Sequence, residues 1–409
     1  MLKNDRPLKY RAWSSLAAAT AINLTMGINY SWSVIKKSLV TDWHWTNVEA
    51  SLPYTFYTAI YAFSTIFAGR AQDKFGPRRV AGAGSLVLGL GMIACIYSST
   101  PLALTISYGA IASVGFSMCY ATAVPTSLKW FPPEKRGRIA GIVVGATGMA
   151  AVYMSPIANW SIASHGIANT FLLLGIGIVV VSSIAARFLS NPPPGYEAGS
   201  TFAQAGGVTA PARLKPDYEW RQMLKTPTFY KLWLSFFFAA SGGLMIFGHL
   251  ATIAKTQANW EYGFYLVSLL ALFNTIGRIA SGICSDRFGP IFTLKIAFFL
   301  QALNLLLFFS YLTPSLLAVG TMVTGLCYGA CFTIFPLITS DFYGLKNLGV
   351  NYGLMLSAWG CAGFLGPLLA GWAVDATGSY FLAYVVSATL LFAALIIAFA
   401  TKPPAHANL

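Results

Sequence analysis

Apolar runs of about twenty residues or more recur along the whole chain, separated by short polar or glycine- and proline-bearing turns. A helix needs about that length to cross roughly 30 Å of hydrocarbon. Membrane barrel strands would instead alternate apolar and polar residues over about ten positions. The runs predict helices near 12–36, 46–70, 79–99, 101–128, 138–163 and 168–189, then 228–255, 260–285, 290–311, 314–341, 350–374 and 378–400. Between the sixth and seventh lies 191–226, with Pro192, Pro193, Pro194, several glycines and most of the longest charge cluster. It reads as a cytoplasmic linker joining two six-helix halves, 1–190 and 227–409. The first apolar run follows a polar, basic start and is too long for a cleaved signal peptide, so it is expected to remain as the first membrane helix. The expected fold class is an all-α membrane protein with twelve transmembrane helices.

Composition agrees with this reading. Of 409 residues 56% are hydrophobic and only 9% charged, whereas a soluble domain carries roughly 25% charge. Mean hydropathy is +0.64. The net charge of +14 could suggest nucleic acid, but its placement argues otherwise. With both termini in the cytoplasm, 22 of the 26 basic residues fall in cytoplasmic segments, and the outside receives Lys36, Lys37 and Lys255. That asymmetry is the positive-inside signal of an even number of spans. All six cysteines lie in apolar segments. Cys327 and Cys331 share a helical face, but without nearby histidine or acid they read as packing rather than a metal pair. No cofactor is implied.

An internal repeat sharpens the picture. Gly69-Arg-Ala-Gln-Asp73-Lys74-Phe-Gly76-Pro77 closes the second predicted helix, and Gly282-Ile-Cys-Ser-Asp286-Arg287-Phe-Gly289-Pro290 closes the eighth, 213 residues later. Both copies fit G-x-x-x-D-[RK]-x-G, the cytoplasmic signature of the major facilitator superfamily, which this chain resembles. The resemblance implies two pseudo-symmetric six-helix bundles. It also implies a cytoplasmic gate in which Asp73 with Lys74, and Asp286 with Arg287, make charge-assisted bonds to a neighbouring helix.

Further segments narrow the likeness. Trp130-Phe131-Pro132 leads to Lys135-Arg136-Gly137 and Gly141; Asn351-Tyr352-Gly353 opens the eleventh helix; Gly27-Ile-Asn29-Tyr30-Ser31-Trp32 lies on the first; Arg278 lies on the eighth. Together these resemble the monocarboxylate-porter and oxalate–formate-antiporter branch, and within it bacterial L-lactate transporters. Two departures stand out. Trp359 occupies the place of a lysine of the oxalate exchangers, and Asn274 that of an aspartate of the animal porters. The animal porters' acidic, glycine-rich opening to helix 1, and the lysine within it, are also absent. Dicarboxylate transport and the animal-type proton relay are therefore not expected.

Arg278 is the most informative side chain. It precedes Asp286 by eight residues, about 12 Å of helix at 1.5 Å per residue, which puts it deep in the hydrocarbon. Such an arginine costs roughly 2.5–3.5 kcal/mol to insert and should face a cavity. All twelve acids fall in loops or near helix ends, so a substrate carboxylate is the expected partner of its planar fork. The alternative is a cation satisfied by backbone carbonyls. Asn274, one turn away, either donates to the substrate or makes a structural bond. By the resemblance, Tyr120, Asn29 and Tyr30 fall on cavity positions, and Tyr328, Phe332 and Trp359 form an apolar wall for a short tail; the alternative for these aromatics is packing. His249, about two turns from the outer end of helix 7, is the candidate proton carrier, or else a structural histidine.

These readings converge on a secondary transporter of small monocarboxylates such as L-lactate. It would act as a proton symporter by alternating access, as a monomer in a bacterial inner membrane. The alternatives are an organic anion exchanger and a non-transporting carboxylate receptor. A membrane enzyme is not indicated, because no nucleophile–base pair, phosphate loop or metal cluster is present in plausible register.

Overall fold

The computed structural model describes residues 6–27, 32–46, 48–196, 198 and 217–404. The described residues are helical with short turns. They form α1 (Arg6–Thr25), α2 (Trp32–Asp42), α3 (Leu52–Phe75), α4 (Pro77–Ala94), α5 (Pro101–Leu104), α6 (Ser113–Trp130) and α7 (Arg136–Ala186). After the linker come α8 (Trp220–Leu224), α9 (Pro227–Ala258), α10 (Phe264–Phe288), α11 (Pro290–Phe308), α12 (Pro314–Tyr343), α13 (Leu348–Thr377) and α14 (Phe381–Phe399).

Twelve crossings result. Among the described residues the first is represented by α1 and α2. The fourth runs through α5, a wide π-helical stretch from Thr105 to Ala112, and α6. The fifth and sixth lie within α7, which breaks at Gly166, where φ is 80° and ψ 170°. That conformation is open mainly to glycine, so the unbroken run 138–189 still turns back on itself.

Helix starts follow from local chemistry. Pro77, Pro101, Pro227, Pro290 and Pro314 occupy first-turn positions that have no need of an N–H. Thr100, Thr226 and Thr313 cap with their hydroxyls, each accepting from a backbone N–H three residues on. The duplicated motif reappears as duplicated geometry: Gly76 (φ 84°, ψ 159°) and Gly289 (φ 87°, ψ 153°) each end one helix and start the next. Large apolar side chains such as Phe67, Leu90, Leu368, Trp372 and Phe399 remain exposed on the outer surface, as a lipid-facing wall requires. α6 and α12 are buried almost all round and form the centres of the two bundles.

The bundles meet along two helix pairs, α3 with α13 and α7 with α10. The face bearing the first and last described residues also carries the two motif turns, since Arg11 and Gly76 line one surface hollow and Pro403 and Gly289 another. Of the predicted linker, the first residues are tied to the N-terminal half, where Tyr196 Oη donates to the Trp130 carbonyl at 3.0 Å. The last residues are tied to the C-terminal half: Tyr218 N donates to the Tyr343 carbonyl at 2.9 Å, and Asp217 accepts from the N–H groups of Leu345 and Lys346.

Candidate functional site

At the terminal face the two halves are latched shut. The Asp73 carboxylate accepts from the N–H groups of Gly349 (3.3 Å) and Val350 (2.9 Å), in the first turn of α13. The Asp286 carboxylate accepts from Gly137 (2.6 Å) and Arg138 (3.0 Å), in the first turn of α7. Each motif thus places an anion on the N-terminus of a helix from the other half, where the helix dipole and unsatisfied N–H groups favour it. Glycine makes the approach possible: a Cβ on Gly69 would collide with the Gly349 backbone, and one on Gly137 with the Gly282 carbonyl.

The bases of the latch differ from the sequence expectation. Lys74 and Arg287 are exposed and lie over the rings of Phe75 (5.3 Å) and Phe288 (5.4 Å). The cations facing the two carboxylates are Lys129 beside Asp73 (3.7 Å) and Arg138 beside Asp286 (3.2 Å). The motif base follows its acid directly in the chain, so on a helix it points about 100° away from it. The partner therefore comes from a neighbouring helix.

Beyond this latch, between the halves, lies a cavity of about 430 Å³, within the roughly 300–1,000 Å³ of small-molecule sites. Its lining extends to Thr55 near the start of α3 and Phe364 on the distal part of α13, both exposed. Among the described residues, Arg278 is the one charged side chain that lines it.

Arg278 is 2% exposed. Its Nε donates to Asn274 Oδ1 at 3.2 Å, and its Nη1 to the Val144 carbonyl of α7 at 2.9 Å. Phe332 covers the guanidinium, with Cζ 4.8 Å from the ring centroid, a cation–π distance. These contacts fix the plane of the fork, and the Val144 bond ties the C-terminal half to the N-terminal half at the level of the cavity. Asn274 does not line the cavity. Its oxygen is turned toward Arg278, which helps to orient the guanidinium. Residues four apart share a helix face, so the amide reaches Arg278 directly.

Tyr120, Tyr328, Phe332 and Trp359 all line the cavity. Trp359 Nε1 donates to Tyr328 Oη at 2.7 Å, and its ring meets Phe332 edge-on at 5.9 Å. Tyr61 joins the two sides, 5.7 Å from Trp359 and 5.6 Å from Tyr120. Asn29 and Tyr30 lie outside the described residues. His249 is half-buried behind the cavity wall, with Nδ1 3.2 Å from Tyr380 Oη and Nε2 3.2 Å from the carbonyl of Pro367, a lining residue. A carbonyl only accepts, so Nε2 carries the proton and Nδ1 accepts from the tyrosine.

Several lining residues carry no motif: Tyr54, Thr58 and Tyr61 on α3, Phe116 on α6, Thr147 on α7 and Phe247 on α9. Tyr54, Thr58 and Tyr61 stand at i, i+4 and i+7, a stripe that helical periodicity could have revealed.

Comparison with known proteins agrees with this architecture. The family profile described as Major Facilitator Superfamily matches residues 16–314 and 265–409. The chain is 26% identical over 396 residues to the oxalate:formate antiporter of Oxalobacter formigenes, covering 94% of this chain and 90% of the relative. It is 21% identical to monocarboxylate transporter 13 of Bos taurus, covering 90% and 84%. The crystal structure of the transporter FucP in the outward conformation superposes with a TM-score of 0.69 at 15% identity, covering 95% of this chain and 98% of that one. With its helices arranged as twelve crossings in two latched halves around a central cavity, the chain belongs to the Major Facilitator Superfamily.

Proposed function

We propose that the protein is a secondary transporter of small monocarboxylates such as L-lactate, moving them with a proton by alternating access. The observation that carries the reading is the Arg278 guanidinium, oriented by Asn274 and the Val144 carbonyl where it lines the cavity between the halves. A carboxylate matches the fork of a guanidinium through parallel charge-assisted bonds. Tyr328, Phe332 and Trp359 supply an apolar wall for a short tail.

With both termini in the cytoplasm of a bacterial cell, the latched face is cytoplasmic and the cavity opens outward. Residues 1–190 and 227–409 then rock as two bodies around the site, and 191–226 is their tether. Each chain holds a complete cavity, so a monomer suffices. His249, linked to α13 and α14 through Pro367 and Tyr380, is the proton carrier in this scheme. Its protonation makes Nδ1 a donor and reverses the bond to Tyr380.

The test is uptake of labelled L-lactate into proteoliposomes, with and without an inward proton gradient and with the internal anion varied. Proton-driven accumulation in empty vesicles is expected, and His249→Gln should lose that accumulation while retaining downhill lactate flux. Binding with no uptake under any condition would make the protein a receptor.

Anion exchange is the second reading, favoured by the likeness to a relative named an oxalate:formate antiporter. Uptake confined to anion-preloaded vesicles would select it. The cavity argues for one carboxylate rather than two, because Trp359 presents an indole bonded to Tyr328. Trp359→Lys should therefore create measurable oxalate binding and weaken L-lactate binding about tenfold, the worth of roughly 1.4 kcal/mol. Isothermal titration with both anions checks this; unchanged selectivity would reject the charge-matching argument.

A further inference from the structure

We propose that the protein binds an anionic phospholipid at its terminal face. The headgroup phosphate sits in a basic hollow formed by Arg11, Arg78 and Arg79, and one acyl chain lies in a groove between α1 and the end of α7. The inference is independent of which anion the central cavity carries.

The hollow, about 750 Å³, is lined by Arg11 of α1, by Gly76, Arg78 and Arg79 around the start of α4, and by 189–191 beyond α7. Among the described residues that line it there is no acid. All three arginines are exposed, and the ion pairs among the described residues engage Lys129, Arg138 and Lys255 instead. Arg11 holds its Cζ 5.9 Å from the Trp130 ring centroid, and Trp130 is anchored in turn by the bond from its Nε1 to the Ser190 carbonyl at 2.6 Å. Arg78 and Arg79 stand in the first turn of α4, whose N-terminus adds its own positive field. A guanidinium grips phosphate through two parallel charge-assisted bonds. The pseudo-symmetric hollow at Gly289 is built differently. Its Lys295 lies over the Phe399 ring at 4.1 Å, and Asp341 shares its lining. The concentration of positive charge at the duplicated turn thus belongs to one half only.

The neighbouring groove makes the anion a lipid rather than a free ion. It encloses about 470 Å³ between Tyr10, Ser14, Ala17 and Ala21 of α1 and Ile184 and Phe188 at and just beyond the end of α7. Hollow and groove share a border, since Tyr10 precedes Arg11 in the chain and Phe188 precedes Leu189. The four α1 residues stand at i, i+4, i+7 and i+11, along one face of the helix. They span about 16 Å at 1.5 Å per residue, and one leaflet of a roughly 30 Å hydrocarbon core is about 15 Å deep. The groove therefore has the length of one acyl chain. Its Ser14 hydroxyl donates to the Arg11 carbonyl at 3.1 Å, which leaves an apolar wall for the chain to cover. Clustered arginines where a bundle meets the headgroup layer attract anionic lipids, and the groove fixes where such a lipid lies.

The experiment is native mass spectrometry of the purified full chain with phosphatidylglycerol, phosphatidylcholine and inorganic phosphate as probes. The wild type is expected to hold phosphatidylglycerol about tenfold more tightly than either of the others, or better. Arg11→Gln with Arg78→Gln and Arg79→Gln should erase the preference between the two lipids. Arg221→Gln with Lys225→Gln and Lys346→Gln removes the same charge from exposed positions of the C-terminal half and should preserve it. Ala17→Trp, which fills the groove and leaves the arginines in place, should weaken phosphatidylglycerol by a comparable factor. Equal wild-type retention of the two lipids would overturn the inference and needs no variant to fold. Equal loss in the C-terminal triple variant would also overturn it, because diffuse surface charge would then explain the binding. Inorganic phosphate bound as tightly as the lipid, or unchanged lipid binding in Ala17→Trp, would reject the acyl groove and leave a site for a free anion in its place.

Discussion

Arg278→Ala is expected to reduce L-lactate binding and uptake by at least a hundredfold. The substitution removes the one charged side chain lining the cavity among the described residues. Hydrogen bonds to charged groups contribute roughly 1.5–3 kcal/mol each, so losing a two-pronged carboxylate contact forfeits about 3–6 kcal/mol, a factor of roughly 10²–10⁴ in affinity. Arg278→Lys should recover only a small part. An ammonium keeps the charge, but it cannot hold the Val144 carbonyl and Asn274 Oδ1 while presenting a planar fork to a ligand. Both variants should fold, because the close glycine packing of α7 on α10 is untouched. Size-exclusion profiles and melting temperatures check that point, and titration of lactate checks the loss. Normal affinity in Arg278→Ala would show that the anion binds elsewhere.

Loss of the two latch carboxylates should shift the protein toward the state open at the terminal face. In Asp73→Asn with Asp286→Asn, each amide offers one acceptor oxygen where the carboxylate served two N–H groups of a facing helix. The favourable placement of negative charge at two helix N-termini also disappears. About 1–2 kcal/mol per latch gives 2–4 kcal/mol together, a change of roughly 30- to 1,000-fold in the ratio of closed to open gate. Spin labels at Phe75→Cys and Lys346→Cys, both exposed and on opposite halves, should report a longer distance in the double variant. Lactate uptake should fall while binding persists, since transport requires the gate to close again. An unchanged distance distribution would mean that glycine packing alone holds the gate.

The sequence and the structure divide the information unevenly. Apolar run lengths determined the number of crossings, because each run must span the same hydrocarbon thickness whatever it packs against. The paired motifs determined the two-fold plan, and the phase of α10 brought Arg278 to the lumen eight residues from Asp286. The break at Gly166 was legible too, as the gap between the fifth and sixth predicted helices, although the helix runs to it without a polar loop.

Partnership was decided by the fold. Arg278 takes its orientation from a carbonyl 134 positions earlier in the chain, and the cation beside Asp286 comes from Arg138 rather than from the adjacent Arg287. Asn274 matched a substrate position by register, yet its oxygen is spent on Arg278. Periodicity along one helix states which side chains share a face. Which donors and acceptors have already been claimed depends on contacts between helices far apart in the chain, and those exist only once the two halves have packed.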